Sequence, residues 1–155
     1  MAKRRGARRR RATESQRPSV RRLAVHKSVL QDLRVWSDDP NHRVFAQRVV
    51  ARFGLLMTGT REEVRCYLRS ASMTSIRGKP GLFELGPKQK LGGAPRIIFA
   101  QKADAIVLLA SGVETGSRGV KRTIELAGER WKAAARMLSD DVALKALGFD
   151  LIPSP

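Results

Sequence analysis

Acidic residues are scarce in this chain, and so are the side chains that usually carry metal or covalent chemistry. Of 155 residues only 14 are Asp or Glu, against 31 Lys or Arg, for a formal net charge of +17. A field of that sign repels basic partners and gathers polyanions. Nucleic acid or the ribosome is therefore the first partner class. An anionic membrane ranks second, but no apolar run approaches the ~20 residues of a spanning helix, so no membrane partner is expected. Cys66 is the sole cysteine. It excludes an internal disulfide, points to a reducing cytoplasm, and is more readily a small core residue than a nucleophile. His26 and His42 have no Cys or His at zinc-site spacing. Neither metal nor cofactor is expected. There is no nucleophile elbow, phosphate loop or internal repeat. Glu62 and Glu63, adjacent on a candidate helix, point about 100° apart and make a poor acid–base pair. Asp38–Asp39 and Asp140–Asp141 read as helix caps.

The length suits one domain with a real core. Residues 1–22 stand apart, with ten Lys/Arg and one acid, Glu14. That is +9, leaving +8 for the remainder. Apolar residues are too few there to anchor a fold, so a disordered basic arm is expected that orders on phosphate. A solubilising tail, or upstream sequence included by an early start codon, is the plainer alternative. No apolar segment follows the arginines as a secretory signal requires. A single α+β domain is expected over 23–152, with 153–155 loose.

The domain is organised around Gly81–Glu114. Leu82–Leu85 alternates around Glu84, and Ile97–Phe99 and Ile106–Leu109 are apolar runs rich in β-branched residues. Gly86–Pro87, Gly92–Gly93 and the polar Gln101–Asp104 separate them. The pattern predicts an antiparallel meander of three strands, with Leu23–Val25 as a short additional strand. Helices are expected from Ser28, capped with Gln31 in a capping box, and from Asp39–Pro40 through Phe45, Val49, Phe53 and Leu56. A short one is expected over about Thr60–Leu68. Arg69–Pro80 reads as a loop. Val120, Ile124, Ala127, Trp131, Ala134 and Leu138 form the seam of a long helix facing the sheet, with Lys121, Arg122, Arg130, Lys132 and Arg136 on its other faces. Asp140 can cap a last short helix, after which Phe149, Leu151 and Ile152 dock on the body. Alternation puts Arg96 and Ile98 on one sheet face and Ile97 and Phe99 on the other. The long helix is expected to cover one face. The other is then a basic concavity floored by Ile98. Arg96 has a second possible role, pairing with Glu84 across strands to pin the register.

The chemistry on offer is cationic: Arg77, Lys79, Lys88, Lys90, Arg96, Arg118, Lys121 and Arg122 flank the strands or open the long helix. RNA carries its own nucleophile, the 2′-hydroxyl, so such a set supports either metal-free phosphodiester cleavage or plain phosphate binding.

The order strand, helices, Gly81–Leu82–Phe83–Glu84–Leu85, Pro95–Arg96–Ile97–Ile98–Phe99, Ala105–Ala110 and then a basic helix at Arg118–Leu126 resembles the RelE/HigB toxin superfamily of bacterial and phage toxin–antitoxin systems, over about Leu23–Leu138. The resemblance implies a curved antiparallel sheet packed by helices. It implies a cytoplasmic, ribosome-associated endoribonuclease that cleaves mRNA and is held by a cognate antitoxin protein. Arg96 matches the arginine of the family's Arg-Ile/Val-aromatic strand. It would stabilise the phosphate, with Lys88, Arg118 and Lys121 positioning it or helping in proton transfer. Arg77, Lys79, Lys90 and Arg122 would bind nucleic acid. The family's arginine after Leu85 is replaced by Gly86, its lysine after the last strand by Glu114, and its C-terminal catalytic aromatic by nothing evident, since Phe149 lacks a hydroxyl. A non-catalytic RNA- or ribosome-binding protein, favoured by Gly86, and a gyrase-inhibiting toxin are the alternatives.

Removing residues 1–22 is expected to flatten the salt dependence of RNA or ribosome binding, because fewer counterions are released on association. A titration across salt concentrations checks this, and an unchanged slope means that the arm does not touch phosphate.

Overall fold

The computed structural model describes residues 22–58, 73–86, 94–102, 104–114 and 117–152. Its elements, in chain order, are β1 (Arg22–His26), α1 (Lys27–Asp38), α2 (Arg43–Thr58), β2 (Met73–Ser75), β3 (Leu82–Leu85), β4 (Ala94–Lys102), β5 (Ala105–Glu114), α3 (Ser117–Ala134), α4 (Asp141–Ala146) and β6 (Phe149–Ile152). The architecture is α+β. Among the described residues the six strands form one sheet in the order β2-β3-β4-β5-β1-β6.

The meander is present, and longer than expected. The segment read as a loop contains β2, which pairs antiparallel with β3 and adds a fourth strand. Three residues are too few to show periodicity. The sheet is also mixed where an antiparallel one was expected: β1 runs parallel to β5, while β6 returns antiparallel on the outer side of β1. The docking expected of Phe149, Leu151 and Ile152 thus takes the form of a sixth strand. The expected helix over Thr60–Leu68 and the loose end at 153–155 lie outside the described residues.

Both faces of the sheet are covered. On one, Ile97 and Phe99 of β4, Ile106 and Leu108 of β5 and Leu85 of β3 pack against Val29 and Trp36 of α1 and Phe45, Val49 and Phe53 of α2. On the other, Ile98, Ala100, Val107, Leu109 and Ala110 pack against Ala127 and Ala134 of α3, Leu144 of α4 and Phe149. Ile124, Trp131 and Leu138 complete that layer, as the helical seam predicts. Each fully buried Leu, Ile or Phe contributes about 1.5–3 kcal/mol relative to exposure, so two complete layers account for most of the cohesion. The expected open concavity is absent among the described residues: its proposed floor, Ile98, is 1% exposed beneath α3.

A β-bulge breaks the alternation. Ile98 pairs with Ala110 and Phe99 with Leu108, so Leu109 is the extra residue on β5. A bulged residue leaves the ladder incomplete, and a buried carbonyl needs a donor. Arg130 supplies it, donating to the Leu109 carbonyl at 2.7 Å. Arg130 therefore turns inward, whereas the sequence placed it on an outer face. Burial holds its pKa below the ordinary value.

Arg130 also donates to the Ser28 hydroxyl at 3.0 Å, and that oxygen lies 2.8 Å from His26 Nδ1. Nδ1 also accepts the Ser28 backbone N–H at 3.1 Å, so His26, not Ser28, caps α1. As acceptor, Nδ1 must be unprotonated. The second cap differs as well. Asp39 ends α1 and builds a turn by accepting the Asn41 N–H at 2.9 Å and contacting His42, so α2 starts at Arg43 rather than at Pro40. The Asn41 N–H holds the Asp39 carboxyl below its usual range. At the other end of the chain Asp140 caps α4 as expected, accepting the Ala143 N–H at 3.0 Å.

Burial, then the nearby Arg130 and Lys27 charges, hold the His26 pKa below its ordinary 6.5. The unfolded chain therefore takes up this proton first, and stability falls as pH drops through 6.5 until the folded value is passed. Thermal midpoints at about pH 7.5 and pH 5.5 should differ more for the natural chain than for His26→Asn, a cap without a titratable ring. Equal shifts in both proteins would show that His26 does not titrate against the fold.

Candidate nucleic-acid interface

Among the described residues of β4, charged side chains stand toward the two ends of the strand. β4 spans the sheet from one end to the other, and Arg96 and Lys102 mark those ends. Six residues at ~3.3 Å each separate them by about 20 Å.

At the first end, Arg96 stands on the α3 side of the sheet, opposite Gly112 in the ladder. Its guanidinium pairs with the Glu84 carboxylate on the neighbouring strand. Glu84 is the register partner of Ile98, so the pair is diagonal across β3 and β4. Gly86 makes this possible. A Cβ there would stand 3.0 Å from Arg96 Nη1 and 3.4 Å from its Cζ. The guanidinium thus lies across the position where the resemblance would have an arginine, and a side chain there would require the Arg96 guanidinium to give by a few tenths of an ångström.

Gly112 allows α3 to come close in the same way. A Cβ on it would stand 3.1 Å from the Thr123 hydroxyl. The helical turn carrying Lys121, Arg122 and Thr123 therefore passes over the β4–β5 pair beside Arg96, and Lys121 and Arg122 are exposed. Arg118 lies in the first turn of α3, with its side chain outside the described set. Lys88 and Lys90 lie outside the described residues altogether.

Arg77 and Lys79 do not join this group. They occupy the exposed turn between β2 and β3, next to Leu82, which pairs with Ala100 near the far end of β4. The cations that the sequence grouped into one site are divided between the two ends of the sheet.

The far end holds what the sequence reading missed. An open pocket of about 530 Å³ lies between the start of β1, the β4–β5 turn and the segment after α3. Arg22, Lys102 and Arg136 line it, with Asp104, Leu138 and Ser139. Arg22, counted with the arm in the sequence, is the first residue of β1, and its backbone N–H donates to the Asp104 carbonyl at 3.2 Å. Its guanidinium bonds the Leu138 carbonyl and the Asp141 carboxylate. Lys102 and Arg136 are exposed, and neither forms an ion pair among the described residues. The strand order and the bonds of Arg22 after α3 bring these three together. The sequence placed Lys102 in a polar link and Arg136 on an outer helix face.

Among the described residues no group of three or more His, Cys, Asp or Glu is gathered as a metal site would need, and no helix is long and apolar enough to cross a membrane. No family model, curated protein or solved structure matches the chain.

The Arg96 and Glu84 side chains are only 15% and 17% exposed. Arg96→Ala leaves a half-buried carboxylate without this partner, and the expected cost is ~1–3 kcal/mol. Thermal unfolding of Arg96→Ala, Glu84→Ala and the double variant checks it. The double variant should lose less than the sum of the two single losses.

Proposed function

We propose that this protein is an RNA-directed toxin of the RelE/HigB type, cytoplasmic, acting on mRNA at the ribosome and restrained by a cognate antitoxin protein. The observation that carries this reading is the order and pairing of the elements. A strand and a helical pair precede the antiparallel β2–β5 meander. β5 then leads, through residues 115–116, into a helix with Arg118, Lys121 and Arg122 in its opening turns, at the sheet end where Arg96 stands.

In this reading RNA supplies the nucleophile. Attack by its 2′-hydroxyl on the adjacent phosphorus builds negative charge on the phosphoryl oxygens. Fixed cations offset that charge most strongly where water is excluded. Arg96 is oriented by Glu84, and Lys121 and Arg122 stand exposed on the nearby helical turn. Lys88, Lys90 and Arg118 complete the candidate set from sequence alone. Arginine does not release its proton and lysine does so only with a lowered pKa, so among the described side chains at this end the group able to accept the 2′-hydroxyl proton is the Glu84 carboxylate, which is engaged by Arg96.

A second reading is favoured by a specific feature. Arg96 is engaged with Glu84 across a glycine where the family has a further arginine. A site built this way suits phosphate binding without turnover, as in a ribosome- or RNA-associated protein.

Induced expression without an antitoxin is expected to arrest growth and to produce new mRNA 5′ ends within translated regions, mapped by sequencing. Arrest with intact mRNA and accumulated gyrase–DNA complexes would move the assignment to a gyrase-inhibiting toxin. No arrest and no new ends would leave the binding protein.

A further inference from the structure

We infer that the sheet end opposite Arg96 is a separate binding surface for the phosphate backbone of single-stranded RNA, centred on Lys102 and Arg136. The inference needs RNA binding but not RNA cleavage, so it stands or falls apart from the toxin assignment.

Four elements deliver cations to this end. The β2–β3 turn gives Arg77 and Lys79, the end of β4 gives Lys102, the start of β1 gives Arg22, and the segment after α3 gives Arg136. From β3 to β1 the sheet crosses three strand spacings, about 14 Å at ~4.8 Å each. The rim is thus long enough for several nucleotides. The nearby carboxylates are unevenly placed. Asp141 is taken by Arg22 and Asp140 caps α4, which leaves Asp104 against Lys102 and Arg136 in the pocket lining.

The rim's own cations, Arg22, Lys102 and Arg136 with Arg77 and Lys79, are what a phosphate backbone would meet. Single-stranded RNA is a better fit than an anionic membrane. The pocket's apolar lining is Ala105, Ala135 and Leu138, and residues 1–21 contain no aromatic side chain to enter a bilayer.

The test uses the full chain and a fluorescently labelled, 2′-O-methylated RNA of about 16 nucleotides. Methylation removes the nucleophile, so cleavage cannot disturb the isotherm. Anisotropy titrations at a series of salt concentrations compare the natural chain with Lys102→Gln/Arg136→Gln. An equal-charge control, Arg34→Gln/Arg48→Gln, changes exposed residues of α1 and α2. All four positions are exposed, and circular dichroism checks folding. Neutralising two phosphate contacts should reduce the slope of log K against log salt by about 1.4, at ~0.7 per single-strand phosphate. The control should keep the natural slope. An unchanged slope in Lys102→Gln/Arg136→Gln, or the same reduction in both variants, overturns the proposal. So does loss of binding to phosphatidylserine vesicles with RNA binding intact.

Discussion

Burial of both faces of the central strands is the constraint on which the rest of this structure depends. A sheet covered on one side alternates apolar with polar residues, whereas one covered on both sides reads as continuous apolar sequence. Ile97–Ala100 and Ala105–Ala110 are of the second kind, and every one of these residues is buried. The consequence for function is direct. Among the described residues no face of β4 or β5 is left uncovered, and the charged side chains of β4, Arg96 and Lys102, stand toward its two ends.

The same constraint explains the polar groups that are drawn inward. The bulge at Leu109 rephases β5, so that Leu109 and Ala110 both contribute to the α3 layer. The carbonyl it strands would be costly in an apolar layer. Arg130 meets that carbonyl, and by reaching past it to Ser28 links α3 to the start of α1. A defect in the ladder has become a joint between the two helical layers, closed by the neutral His26 ring. On the first layer, Ser111 donates to Asp32 of α1 at 2.6 Å, a second polar link between β5 and a covering helix.

Much of the fold was legible in the sequence, where periodicity was long enough to speak. The meander's three main strands, the Phe45–Val49–Phe53 face and the Ala127–Trp131–Ala134 seam all follow from spacing. The alternation of Arg96 with Ile98 was also right, and the pairing with Glu84, one of the two roles the sequence left open for Arg96, is formed. What failed was the inference that one face stays open. That needed the partner of each helix, and hydrophobic period tells which residues are buried without telling against what. β2 and β6 were missed as strands because three or four residues carry no period, and their pairing is set by neighbours distant in sequence. His26 displaced Ser28 as a cap because a ring nitrogen can accept the same N–H, which a search for Ser, Thr, Asp or Asn does not register. The far-end cations were invisible for a related reason. Arg22, Lys102 and Arg136 are widely separated in sequence, and they are united by β1 running parallel beside β5 and by the bonds of Arg22 to Leu138 and Asp141 after α3.

The two ends of the sheet differ in how their charge is held, and the difference bears on what each can do. At the Arg96 end the central guanidinium is half-buried, fixed by Glu84 and fitted over Gly86. A cation so placed is oriented in advance, which suits it to one phosphoryl group in one geometry, and it contributes less to attraction at a distance because its carboxylate travels with it. At the other end Lys102 and Arg136 are exposed and carry their charge into solvent beside the attachment point of nine more cations. Exposed charges of one sign act over roughly a Debye length, ~8 Å at physiological salt, and tolerate many backbone geometries. The physical division is therefore between exposed charge at the Lys102 end and, about a strand's length away, a cation oriented by Glu84 at the Arg96 end.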